Sequence, residues 1–320
     1  MWVFEETLAD GSLLTKTINE RHENTKYLPG YSIPENVIAD PCLRSTVADA
    51  DLLVFVLPHQ FLRTISRQIT GVLKPGARAI SLIKGLDTQG NDIRLITDVI
   101  RETCLPAPAS PGAEVVPMSV SALSGANVAH EVAAGQFCET TIGYHHTTSL
   151  SEALVWKALF NTPVFRVSCV PDLAGVELCG ALKNVVALAA GFSDGMNQGG
   201  NTKAAVMRIG LLEIRDFAAR FYRGIRHETF FESCGMADLI TSCVGGRNWK
   251  VAREHAATGQ DLASLEQTML NGQKLQGILT AEEVYNFLSA RGLLHSYPLF
   301  TAVHRICIGE IKASDMLKHI

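Results

Sequence analysis

The sequence predicts an α/β chain in two parts, a parallel sheet covered on both faces and then an all-helical region. Three observations carry that prediction. Across the first half, short β-rich runs without in/out alternation are separated by helical stretches, the pattern of strands buried on both sides. After Phe165-Arg-Val-Ser-Cys-Val170 such runs stop. Beyond them, Gly175 to Gly191 is small or apolar at almost every position and reads as a helix buried all round. The boundary therefore falls near Val170, giving parts 1–169 and 170–320.

Taken in order, Trp2-Val-Phe4 is a short apolar run ended by Glu5-Glu6, and Leu13 to His22 is patterned as a helix. Asn36-Val-Ile-Ala39 is strand-like, and Ala50 to Leu57 is a continuous β-rich run stopped by Pro58. Phe61 to Leu73 has helical periodicity, Arg78 to Ile83 reads as a buried strand, and Ile93 to Thr103 is helical again. Three prolines in Leu105–Gly112 remove donors and fix φ, so this segment reads as a surface loop. Ligands of such sheets bind beyond the carboxyl ends of the strands. Glu5-Glu6, Pro58-His59-Gln60-Phe61 and Lys84-Gly85 are the residues placed there.

Composition excludes several classes. Of 320 residues, 47% are apolar and 19% charged, and the net charge of −4 carries no basic footprint for nucleic acid. No uninterrupted apolar run reaches the ~20 residues that span a bilayer, so no membrane partner is expected. The first residues show no secretory signal and the last no prenylation or peroxisomal signature. Eight cysteines stand singly, without C-x-x-C pairs or zinc spacing, so no metal is expected. They read as free thiols of a reducing compartment, which makes the cytoplasm the expected location.

The charged residues inside apolar helices are the candidates for chemistry. Lys183, beside Asn184, must reach water, pair with a carboxylate, or sit desolvated with a lowered pKa, where it could exchange a proton near neutrality. Asp238 is alone in an apolar helix and needs a cationic partner, for which Lys183 is the natural choice. Lys84 follows a buried strand and points into the cleft or to solvent. Asn127 is a binding amide or a helix cap. Gly245-Gly-Arg247-Asn248 opens a helix where free N–H groups and a guanidinium suit a phosphate, or else is a plain turn before a solvated Arg. Asn271-Gly-Gln-Lys274-Leu-Gln276-Gly277 is a loop closing over a ligand, or an ordinary turn. Asp194 to Lys203 is a flexible polar loop, Glu232 and Arg208 read as structural ion-pair residues, and no histidine is given a catalytic role.

Together these words resemble the NAD-dependent glycerol-3-phosphate dehydrogenases of the eukaryotic cytosolic type. The matching stretches are Trp2-Val-Phe-Glu-Glu6, His22-Glu-Asn with Lys26-Tyr-Leu-Pro-Gly30, Pro58-His-Gln-Phe61, Ser81-Leu-Ile-Lys-Gly85 and Ser124-Gly-Ala-Asn127. Phe137 to Gly143, Gly180-Ala-Leu-Lys-Asn184, Gly245-Gly-Arg-Asn248, Asn271 to Gly277 and Pro298-Leu-Phe300 continue the series in the family's order.

The resemblance implies a Rossmann-like domain, a helical substrate domain, NAD as cofactor, and a homodimer acting on dihydroxyacetone phosphate and sn-glycerol 3-phosphate. It implies Lys183 as the proton donor and acceptor, Lys84 on the ketone, and Asp238, Ser242 and Asn184 orienting them. Arg247 and Asn248 would hold the phosphate, with Asn127 also binding substrate. Phe4, Phe61, Ala129, Arg247, Lys274 and Gln276 would contact NAD. The family's first strand and Gly-x-Gly-x-x-Gly turn have no counterpart here, so the chain is expected to begin within the family's second strand, about 35 residues in. A 3-hydroxyacid or 6-phosphogluconate dehydrogenase would share the architecture, but its glycine-rich substrate motifs are not found. An interaction or sensing protein unable to hold NAD is the alternative of a different class.

Overall fold

The computed structural model describes residues 1–106, 112, 114–270 and 275–320. Helix α1 (Leu14–Arg21), the antiparallel pair β1 (Glu23–Asn24) and β2 (Leu28–Ser32), and α2 (Leu43–Ala48) come first. Next come β3 (Leu52–Phe55), α3 (Leu62–Ile69), β4 (Arg78–Ser81), the hairpin β5 (Asp87–Gln89) and β6 (Asp92–Arg94), and α4 (Ile96–Thr103). Strand β7 (Ser119–Gly125), α5 (Ala129–Ala133), β8 (Cys138–Gly143), α6 (Leu150–Phe160) and β9 (Phe165–Val170) complete this half.

Five of these strands form one sheet in the order β3-β4-β7-β8-β9. β3–β4, β4–β7 and β8–β9 are parallel, as expected, but β7 and β8 pair antiparallel. The connection explains it. Five-residue α5, rising ~1.5 Å per residue, is too short to return the chain to the amino end of β7. Trp2–Phe4 and Asn36–Ala39, expected as strands, shrink to a single parallel bridge between Trp2 and Asp40, held by Val3 N–H on Asp40 O at 3.0 Å. Their β-rich composition supplies propensity, but no longer ladder forms beside them.

One face of the sheet packs on α3 and α4 through Leu62, Ile69, Val99 and Ile100, and the other on α6 through Trp156 with Ile80, Leu123 and Ile142. The second half is built around α7 (Leu173–Gly195), whose residues 173–193 are all buried. It is long and apolar enough to cross a membrane by length and composition, yet here it is the core helix of a folded body. Around it lie α8 (Gly200–Phe221), α9 (Asp238–Gly245), α10 (Arg247–Thr258), α11 (Leu262–Met269), α12 (Gln276–Ser289) and α13 (Pro298–Cys307). Asp172 caps α7, accepting from Gly175 N–H at 2.8 Å, and also binds Arg226 N–H at 2.8 Å and Thr229 Oγ1 at 2.6 Å. Each fully buried Leu or Val on α7 is worth about 1.5–3 kcal/mol, so the helix can carry a few polar groups at fixed positions.

Glu232 and Arg208 make no ion pair among the described residues, contrary to expectation. Glu232 instead accepts from Ser168 Oγ at 2.6 Å. Of the Pro-rich segment, 107–111 lie outside the described residues, as does Lys274.

Candidate active site

The carboxyl ends of β4 and β7 face the middle of α7 and the start of α9. Lys84 arrives three residues past β4, and Ser124 and Gly125 end β7. A π-helical turn over Ser233–Ala237 leads into α9 and delivers Asp238 to the cleft, with Ser242 one turn later.

These groups converge on one carboxylate. Lys183 Nζ donates to Asp238 Oδ1 through a short contact and to Ser242 Oγ at 2.6 Å. Lys84 Nζ donates to Asp238 Oδ2 at 2.8 Å and to the Gly125 carbonyl at 3.1 Å. Ser124 Oγ adds a longer bond to Oδ2 at 3.4 Å. Asp238 is 3% and Lys183 6% exposed, whereas the Lys84 side chain keeps about a third of its surface. Lys84 therefore stands at the opening and Lys183 behind it. Burial lowers the Lys183 pKa to about 8, Asp238 opposing and the Lys84 charge assisting the shift. The expected Lys183–Asp238 pair is present, and Lys84 joins it. In the sequence Ser124 stands out only as part of the Ser124-Gly-Ala-Asn127 motif. Its signal was its position, closing a buried strand at the carboxyl end.

A chain of amides extends the site. Asn248 Nδ2 donates to Asn184 Oδ1 at 3.0 Å, and Gly277 N–H donates to Asn248 Oδ1 at 3.0 Å, which ties α7, α10 and α12 together. A Cβ on Gly277 would meet Asn184 O and Asn248 Oδ1 at 2.7 Å, so only glycine permits this approach. Arg247 is the first residue of α10 and is exposed, with Gly246 before it as cap. Asn127 is not a cap for α5, whose capping residue is Val128. Its Nδ2 crosses to Glu139 O at 3.0 Å, and its Oδ1 is buried without a partner.

Residues 1–150 match the family model "NAD-dependent glycerol-3-phosphate dehydrogenase N-terminus", and residues 172–318 match that of the same enzyme's C-terminus. This chain belongs to the NAD-dependent glycerol-3-phosphate dehydrogenase family. It is 50% identical over 319 residues to the glycerol-3-phosphate dehydrogenase 1-like protein of Danio rerio, covering 99% of this chain and 86% of the relative. A glycerol-3-phosphate dehydrogenase [NAD(+)] of Cuphea lanceolata is 47% identical, covering 100% of this chain and 82% of that one. The solved glycerol-3-phosphate dehydrogenase of Saccharomyces cerevisiae superposes with a TM-score of 0.88 at 42% identity, over 100% of this chain and 89% of that one.

The turns after the strands and the start of α12 offer groups that a dinucleotide could use. Asn127 Oδ1 and Gln276 Oε1, the latter on the first residue of α12, are buried acceptors with no protein donor, as a carboxamide or ribose hydroxyl would require. Phe61, after β3, and Phe4 expose large faces, at 54% and 73%, on which flat rings can lie. Phe4, Phe61 and Ala129, all exposed, stand outside the hydrogen-bonded network around Asp238. Among the described residues no group of three His, Cys, Asp or Glu could hold a metal ion.

Proposed function

We infer that this chain is an NAD-dependent glycerol-3-phosphate dehydrogenase, catalysing reversible reduction of dihydroxyacetone phosphate to sn-glycerol 3-phosphate. Membership of the family supports the reaction. The observation that carries the mechanism is the single buried carboxylate shared by two lysines. Two ammonium groups on one carboxylate leave a net positive centre in a partly closed cleft, which suits an anionic substrate whose carbonyl oxygen gains negative charge.

NADH, when bound against Phe4, Phe61, Ala129, Lys274, Gln276 and Arg247, supplies the hydride that the ketone carbon accepts. Lys84 donates a hydrogen bond to the carbonyl oxygen and polarises it. Lys183 delivers a proton to that oxygen, completing the hydroxyl and leaving a neutral amine. In the oxidative direction the neutral amine takes the proton back. Asp238 holds both ammonium groups and offsets their charge, while Ser242 orients Lys183. Arg247, Asn248 and Asn184 receive the phosphate at the start of α10, where helix N–H groups add to the guanidinium. Asn127 offers a further acceptor to the substrate or cofactor.

The roles divide between a cofactor domain at 1–169 and a substrate domain at 170–320. The free thiols favour the cytoplasm, a location also named for relatives in Drosophila melanogaster. A homodimer is the assembly the family likeness favours.

The test is oxidation of NADH followed by absorbance with dihydroxyacetone phosphate as substrate. Turnover in the wild type, and a loss of about 10²–10⁴-fold in kcat in Lys183→Ala with NADH binding kept, is the expected result. A folded wild type that neither binds NADH nor turns over would instead favour an interaction or sensing protein.

A further inference from the structure

The turn after β3 and the loop after β4 meet α12 at a group of buried polar atoms, of which only Gln276 Oε1 has been given to the dinucleotide. His59 Nδ1, Gln276 Oε1, Thr280 Oγ1 and Glu283 Oε2 are all buried without a hydrogen-bond partner. Gln276, Thr280 and Glu283 are spaced by four and three residues, so they share one face of α12. His59 Nε2 lies 4.0 Å from Glu283 Oε1. On the other side of the ring, a Cβ on Gly85 would come within 3.0 Å of His59 Nδ1, so the backbone next to Lys84 presses on the imidazole. An unpaired buried polar group is costly to leave unsatisfied. Several in one place leave a contact that a small closure of α12 or a bound dinucleotide would complete.

We propose that His59 and Glu283 are positioning residues that, with the Glu283 carboxyl protonated, hold α12 and its Gln276 against the strand-end turns where the dinucleotide binds. A neutral acid can donate to a neutral imidazole, and the pair then closes without placing a charge in the interface. Burial pushes Glu283 up to about 8, the charges of Asp87 and Glu282 adding to the effect. Burial also holds His59 below its ordinary value, opposed by the nearby Gln276 side chain, which approaches the ring without completing a well-formed hydrogen bond, and by the charge of Asp87.

Nearby charges are otherwise committed. Arg63 Nε binds Asp87 at 2.9 Å, Lys84 is held by Asp238, and Asp92 pairs with Arg291 at 2.5 Å. Among the described residues no uncommitted cation faces Glu283, and an ionised carboxylate there would face Asp87 and Glu282 and push α12 away. A cavity of about 280 Å³, lined by Asp92, Glu282 and Glu283, gives the carboxyl access to water for that titration.

This inference rests on the NAD-dependent reading above. Its test is the dissociation constant of NADH, from the fluorescence of the bound nucleotide, between about pH 7 and 9.5. In the wild type Kd should rise once pH passes Glu283's value, approaching tenfold per pH unit if protonation is obligatory. Glu283→Gln, which keeps a neutral donor, should hold Kd low and flat over the same range, and Glu283→Ala should bind weakly at every pH while melting cooperatively. A wild type that binds NADH with Kd independent of pH overturns the inference and leaves the proposed function standing. So does a Gln variant that retains the wild-type rise. A wild type that binds no NADH overturns both.

Discussion

Lys84 binds the Asp238 carboxylate at 2.8 Å across 154 residues of chain, so the sheet and the helical half meet at one ion pair inside the cleft. Asp238 also holds Lys183, and the two lysines would repel without it. The site is therefore complete only when both halves are docked.

Asp238→Asn tests that relationship. The amide keeps the shape but loses the charge that opposes the lowering of the Lys183 pKa. A larger share of Lys183 is then neutral at pH 7, and the two ammonium groups lose their counter-charge. Ketone reduction should fall about 10²-fold or more in kcat, with the optimum moved to lower pH. Steady-state rates across pH check this, and an unchanged optimum would contradict it.

Arg247→Ala should act on binding. Loss of a charge-assisted contact to phosphate costs about 1.5–3 kcal/mol, so KM for dihydroxyacetone phosphate should rise about 10- to 100-fold while kcat changes little. If kcat fell and KM held, Arg247 would belong to the reacting end of the substrate instead.

Stability should carry the mark of Glu177. This fully buried carboxyl accepts from Thr97 N–H at 3.2 Å and Thr97 Oγ1 at 2.5 Å, and burial raises its pKa to about 7. A raised carboxyl binds more protons folded than unfolded. Its contribution is thus complete below the unfolded value of 4.5 and is lost as pH climbs through about 7. Glu177→Gln should gain stability relative to wild type as pH rises over that window, by no more than about 3 kcal/mol. Denaturant midpoints at both ends of the window check the sign.

Much of this was legible because burial makes charge conspicuous. Lys183 and Asp238 stood out as lone charges in apolar helices, and the cost of leaving either unpaired predicted their meeting. The rule that strand ends point to ligands made Lys84 a cleft candidate beside a solvated reading, and its bond to Asp238 decides for the cleft. The antiparallel step at β7–β8 was hidden, since an apolar run looks the same whichever way its neighbour runs. Trp2–Phe4 had the composition of a strand without the partners to make one. Ser124 and His59 could be placed at strand ends, but their partners Asp238 and Glu283 were out of reach, since each contact comes from another element. His59 matters only because α12, more than 200 residues later in the chain, sets Glu283 beside it.

The most direct measurement is kcat in both directions, at saturating NADH or NAD, from about pH 6 to 10. If Lys183 is the proton carrier, ketone reduction must fall as pH passes about 8, because the ammonium that donates is lost. Alcohol oxidation must rise through the same value, because the neutral amine is then present. Mirror-image profiles that vanish in Lys183→Ala are the predicted result. Profiles that are flat, or that move in the same sense in both directions, would contradict the account.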